Sequence, residues 1–356
     1  MTNAVGGVNL GNRAPAHIAP VAATTSLVQN APTFVPSRAA TVTYGPVAAL
    51  AELDGCLLTA DYAADTVSVR AAHTLGHVTT VGDVYEPSAI ATAGRRAYVA
   101  SVEPAYDTVT VLERAEVVAR IPVHGNVRDI AAGRDGRRVY ALQSTDTAMS
   151  LGVIDTETHD LATVELVAGP HTVPTALAVS PTSDVVYVAA VDDVSGVVLA
   201  VQDGRVLRVE PIPSMIRDLV VSRDGKTLFA VSDDDEFGGV VDLLDAATLQ
   251  ITGTIEIGAP VAHASVSADG ERVYIVSGGH ITVLSTVTRR IVDRIETGAD
   301  PATAVESRDG SLLFVTDYEG RVASFAVAQA GNEAFAQILD ADVLDVPMPE
   351  LEAAAV

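Results

Sequence analysis

Tryptophan is absent from the 356 residues, and cysteine and lysine occur once each, as Cys56 and Lys226. A single cysteine excludes an intrachain disulfide, so the sequence implies no oxidising compartment. Cys56, within LDGCLLTADY, reads as a small buried thiol. Aromatic residues make up only 4% of the chain while apolar residues make up 48%. Val, Ile and Ala must therefore fill the core, and β-branched packing favours strands. Positive charge is scarce: 22 basic residues face 46 acidic ones, a net charge of −24. Phosphates would be repelled rather than neutralised, which excludes nucleic acid as a partner, although cationic partners or divalent ions are compatible. No apolar run approaches the ~18 residues of a membrane span. Arg13 alone charges the N-terminus and no apolar block follows it, so no classical signal peptide is read and the cytoplasm is expected.

What is present is a repeat. Residues 260–299, PVAHASVSADGERVYIVSGGHITVLSTVTRRIVDRIETGA, divide into four short strands separated by Asp269-Gly270, Gly278-Gly279 and a third turn. Asp-Gly and Gly-Gly between β-rich runs signal type I′ hairpins, whose central positions both need φ above zero. The second and third strands are apolar on both faces. A small sheet of that kind must be sandwiched between copies of itself. Aromatic or leucine anchors at Leu58, Tyr98, Tyr140, Tyr187, Phe229, Tyr274 and Phe314 recur at the ~40–45 residues of four-stranded propeller blades.

Seven anchors predict an all-β, seven-bladed β-propeller of four-stranded antiparallel blades. Prolines agree: Pro46, Pro87, Pro174, Pro260 and Pro301 fall just before first strands, and none interrupts an inner strand. The last repeat supplies three strands only. An open blade would expose an edge, so the strand read at 38–44 (RAATVTY) is expected to close it as the missing outer strand. The chain then divides into a Pro-containing N-terminal arm (1–37), the propeller (38–329) and an acidic, Ala-rich tail (330–356).

The segments Ala97–Leu112 (AYVASVEPAYDTVTVL) and Leu57–Val69 (LLTADYAADTVSV) resemble the repeat of the YVTN family of seven-bladed β-propellers, whose consensus runs YVTN, a loop, then NTVSVID. Val153–Thr158 and Leu243–Gln250 are similar to its turn between third and fourth strands. The resemblance covers about residues 38 to 329. It implies the fold and leaves function open, because that family includes surface-layer proteins, periplasmic proteins and relatives of bacterial lactonases. Asp65 and Asp107 stand where the consensus has Asn, and the lack of an export signal argues against the surface-layer reading. Without tryptophan the chain is not a WD40 array.

In such a ring, the loops that lead into first strands and those between second and third strands share one face around an axial funnel. Aligning the blades brings Arg128-Asp129 and Arg217-Asp218 to that funnel, with Ser88, His263 and Thr303 at equivalent positions and Thr175-Ala176 beside them. Two guanidinium forks in an acidic protein could clamp a carboxylate or phosphate; equally, each Arg could pair with a neighbouring Asp and plug the axis. The loops with Asp192-Asp193 and Asp233-Asp234-Asp235-Glu236 offer hard oxygen ligands suited to Ca²⁺, but their spacing fits no EF-hand or nonapeptide repeat, and a solvated acidic loop is the simpler reading. His73 and His77 share no helix face, so they make a poor metal pair. No Gly-x-Ser-x-Gly elbow, Walker loop or dinucleotide fingerprint occurs, and no cofactor is expected. The expectation is a monomeric, non-catalytic binding or scaffold module that meets a small anion or a protein segment at the funnel. Two alternatives are a lactonase-like enzyme with His263 or Asp218 as base, and an exported surface-layer component.

Overall fold

A computed structural model describes residues 33–103, 106–166, 172–234 and 236–328; most of the expected N-terminal arm, the expected tail and Asp235 lie outside the described residues. The described chain forms twenty-eight strands in seven four-stranded antiparallel sheets. No helix among them is long and apolar enough to cross a membrane. In six sheets the strands follow chain order outward from the axis, as in blade 6: Val261–Val266, Arg272–Ser277, His280–Ser285 and Arg290–Glu296. Each first strand lies beside the first strand of the next blade. Val47–Leu53 of blade 1 lies beside Pro301–Glu306 of blade 7, so the sheets close into a ring.

The seven anchors all sit in second strands and all are buried. Their burial explains the repeat length. Buried apolar side chains form seven clusters, and each cluster draws on two neighbouring blades. Units this thin stabilise one another rather than themselves.

Blade 7 is completed from the other end of the chain. Thr33–Thr41 pairs antiparallel with Arg321–Ala328 as the outermost strand, the closure expected from the sequence. Its bounds differ from the expected 38–44. The strand starts five residues earlier and runs through Pro36, next to a register shift between Pro36 and Arg38. An outermost strand tolerates proline because one edge faces solvent. Phe34 packs edge-on against Tyr274 of blade 6, with ring centroids 5.9 Å apart.

Two further expectations need correction. Among the Asp-Gly turns that precede second strands, only Asp54-Gly55 places both residues at positive φ, as a type I′ turn requires. At 135–136, 224–225, 269–270 and 309–310 the glycine alone is left-handed. In blades 5, 6 and 7 a serine two residues before the Asp (Ser222, Ser267, Ser307) donates its hydroxyl to that carboxylate and opens a longer loop. Pro174 and Pro301 also lie inside first strands rather than before them, at the second and first residues, beside a break in the ladder where a missing N–H costs little.

The chain runs down each first strand, so the loops into first strands and between second and third strands gather on one face, called the upper face below. Just beneath it, the third residue after each anchor is buried and polar in six blades: Asp61, Ser101, Gln143, Ser232, Ser277 and Asp317. Blade 4 has Ala190 there. Asp61 accepts hydrogen bonds from the hydroxyls of Thr59, Thr66 and Ser68, and Ser101 shares bonds with Thr108 and Thr110.

Candidate functional site

At the upper end of the ring, six of the seven first strands slip register by one residue against their second strands. The extra residues are Ala48, Arg128, Thr175, Arg217, Ala262 and Ala302. A bulge leaves its extra residue unpaired and re-aims the side chains on either side. Here the bulges surround the axis. Blade 2 has no slip in its strand Ala89–Ala93, and Ser88 instead donates its N–H to the Ala100 carbonyl. All seven residues nominated from the sequence, Ser88, Arg128, Asp129, Arg217, Asp218, His263 and Thr303, line one cavity of about 230 Å³ at this mouth, together with Thr175.

Asp129 and Asp218 join blades to one another. Asp129 accepts the N–H of Ile130 at 2.7 Å and, from the next blade, the N–H of Leu177 at 2.8 Å. Asp218 accepts Leu219 N–H at 2.8 Å and Ala264 N–H, again one blade on, at 2.7 Å. Both carboxyls are enclosed by the cavity wall. Burial, with the nearby Asp218 charge adding to it, pushes Asp129 up to about 7 despite its two donors. Burial pushes Asp218 up to about 6. His263 and Asp218, the two candidate bases, share no hydrogen bond among the described residues; the Asp218 oxygens accept backbone donors. His263 Nδ1 is buried with no hydrogen-bond partner, and burial lowers the imidazole to about 4, so the ring is neutral at pH 7. Thr175 Oγ1 is likewise buried without a partner. Thr303 is occupied by Thr316, hydroxyl to hydroxyl at 2.8 Å.

The two arginines do not form a symmetric clamp. Arg217 Nε donates to Asp233 Oδ2 at 2.7 Å, while Asp233 Oδ1 accepts Val261 N–H at 2.9 Å. Arg217 thus takes the plugging role that was the other reading of the dipeptide. Arg128 is exposed at the rim and has no partner among the described residues. The sequence did not assign Asp233 as an arginine partner, nor Thr175 as a site residue. The Asp233 assignment needs the strand register, which puts Met215 opposite Asp233.

The acidic loops use much of their hydrogen-bonding capacity on their own backbone. Asp192 caps the N–H groups of Val194 and Ser195; Asp234 accepts Glu236 N–H, Phe237 N–H and the Ser214 hydroxyl. Asp193 and Glu236 are exposed, and no group of three or more metal-ligating side chains occurs among the described residues. His77 bonds Thr80 rather than His73. A larger groove of about 700 Å³ lies between blades 3 and 4, but its Asp155 and Asp184 are already engaged by backbone N–H groups and by Arg134. The axial mouth brings Arg128 together with two buried polar atoms that lack partners.

Comparisons with known proteins agree with this architecture. No family model matches the sequence. The chain is 33% identical over 274 residues to a Mycobacterium tuberculosis protein described as seven-bladed beta-propeller protein Rv1057, a match spanning 65% of this chain and 70% of that one. Among solved structures it resembles a chain of Kuenenia stuttgartiensis hydrazine synthase (TM-score 0.66, 18% identity, 81% of this chain and 96% of that one). It also resembles the Cps50 (Swd1) beta-propeller domain of Myceliophteria thermophila (TM-score 0.68, 13% identity, 83% and 100%). At such identities the last two likenesses concern the fold alone.

Proposed function

The chain belongs to the family of the Mycobacterium tuberculosis seven-bladed beta-propeller protein, and on that premise we propose that it is a non-catalytic binding module whose axial mouth holds a small anion. One observation carries the reading: an unpaired guanidinium, Arg128, shares a cavity with two buried, partnerless polar atoms, His263 Nδ1 and Thr175 Oγ1. A carboxylate or phosphate on Arg128 would gain paired, charge-assisted hydrogen bonds. A hydroxyl on the same ligand would relieve the two orphaned atoms, which otherwise cost free energy by being buried unmet. A volume of about 230 Å³ suits a small hydroxy acid or dicarboxylate rather than a nucleotide, since drug-sized ligands take ~300–1,000 Å³. The repeat residues quoted above support assigning the blades to the YVTN type.

Charge bookkeeping adds a signature. An anion beside Asp129 favours the protonated carboxyl, which titrates near neutrality. Binding therefore takes up protons and tightens as pH falls from about 8 to 6. His263 stays neutral across that range, and Asp218 titrates at its lower end.

The test is a thermal-shift and calorimetric screen with malate, tartrate, succinate and inorganic phosphate. At least one anion should raise the melting point by mass action, more at pH 6 than at pH 8. Arg128→Ala should remove the shift, and Arg217→Ala should reduce it less. If no anion shifts the wild type, or Arg128→Ala responds as the wild type does, the reading fails.

A further inference from the structure

The chain has nine tyrosines. Four of them, Tyr98, Tyr140, Tyr187 and Tyr274, are buried anchors of second strands. The other five, Tyr44, Tyr62, Tyr85, Tyr106 and Tyr318, all lie in upper-face loops, and all in blades 7, 1 and 2, which the ring makes neighbours. Tyr44 is 97% exposed, Tyr318 54%, Tyr106 51% and Tyr62 42%. Those values matter because a buried tyrosine is explained by packing and these are not.

The loops that carry them touch in series. Val42 and Thr43 donate N–H groups to Gly320 O, beside Tyr318, and a side chain at Gly45 would meet Ala63, beside Tyr62. The Tyr62 hydroxyl donates to Glu86, beside Tyr85, and Val102 N–H donates to Tyr85 O. Glu103 and Tyr106 then exchange backbone bonds. We infer that this continuous sector of tyrosines is a docking surface for a protein segment bearing lysine or arginine.

Tyrosine supplies large contact area with a polar tip, which is why it is enriched at interfaces. The charge of the sector selects the partner. Arg321 offsets Asp317 and Glu319, and Arg120 offsets Glu103 and also donates to the Asp83 carbonyl, but the carboxylates of Asp65, Asp83 and Glu86 have no ion-pair partner among the described residues. Aromatic faces among unneutralised carboxylates attract cations through both the ring quadrupole and simple Coulomb attraction. A neutral glycan would gain from the rings but not from the carboxylates.

The inference does not rest on the axial anion site. Arg128→Ala is expected to leave it intact, and the variants below to leave anion binding intact. The full chain is titrated, at physiological ionic strength, with a short peptide of alternating arginine and glycine. Binding to each variant is read by calorimetry; in the wild type, which lacks tryptophan, tyrosine emission supplies a second signal. Replacing Tyr44, Tyr62, Tyr106 and Tyr318 together by Ala should weaken binding roughly tenfold or more, since each exposed cation–π contact is worth a factor of several. The four Tyr→Phe changes should largely preserve it. Asp83→Asn with Glu86→Gln should weaken binding, while Asp160→Asn with Asp203→Asn, an equal charge change in lower-face turns, should not. Melting curves confirm that each variant is folded. Equal binding by the Ala variant, equal loss in both charge variants, or a salt-independent emission change with a neutral oligosaccharide in place of the peptide would each overturn the proposal.

Discussion

The carboxyls of Asp129 and Asp218 stand where a charge is unfavourable but an acceptor is needed. Each bridges its own strand to the next blade, at sequence separations of 48 and 46. Both carboxyls titrate well above the ordinary 3.8, near 7 and near 6. An acid whose folded value is raised contributes most to stability below its unfolded value, and that contribution is lost as pH rises through the folded value. The two groups should therefore make the protein less stable at pH 8 than at pH 5, by a few kcal/mol at ~1.4 kcal/mol per unit. Surface carboxylates such as Asp155, held low by backbone donors, act oppositely, but only once pH falls through their own lower range. Urea denaturation at pH 5, 6, 7 and 8 should show stability falling across that window. Asp129→Asn should flatten the upper half of the slope; an unchanged slope would mean the carboxyl is not the titrating group. The Arg-Asp dipeptide was legible in the sequence as a repeated feature of the axis. That the Asp serves the next blade's backbone was not, since a hydrogen bond between residues nearly fifty apart leaves no mark in local pattern.

Among the elements, the N-terminal strand Thr33–Thr41 carries the closure. Its placement could be read because the last repeat is one strand short and an open edge is unfavourable. Its bounds could not, because Pro36 reads as a turn until the strand is known to be outermost. In blades 5, 6 and 7 the Asp-Gly turns failed for a related reason: the pair was visible, but the upstream serine that lengthens the loop acts through its side chain. The strand contributes packing as well as pairing. Phe34 joins the cluster between blades 6 and 7, whereas the next residue, Val35, is exposed and lies outside it. Phe34→Ala should cost about 2 kcal/mol, below the ~3–5 for a fully buried Phe because the side chain is half-buried. Val35→Ala should stay within about 0.5 kcal/mol. Chemical denaturation of the two variants decides the point. Equal effects would mean that the strand closes the blade through backbone pairing alone.

At the scale of the whole molecule, closure changes what a local defect does. An open array of repeats melts from its ends, because terminal units have one neighbour. A closed ring has no ends, and each of the seven apolar clusters is shared by two blades. The ring also brings the loop of Tyr318 against the loop of Tyr44, a meeting that follows from the closure read in the sequence, just as the blade count followed from the spacing of the anchors. Phe229 and Phe314, both fully buried, fill the interfaces between blades 5 and 6 and between blades 7 and 1. Truncating either to Ala should cost about 3–5 kcal/mol. If closure couples the blades, both variants unfold in one transition, with far-ultraviolet circular dichroism and tyrosine emission coincident. If the junction of blades 7 and 1 is merely a seam, Phe314→Ala alone should split the curve, releasing the blades beside it before the rest. A split confined to Phe314→Ala would show that the chain behaves as an open stack whose ends only touch.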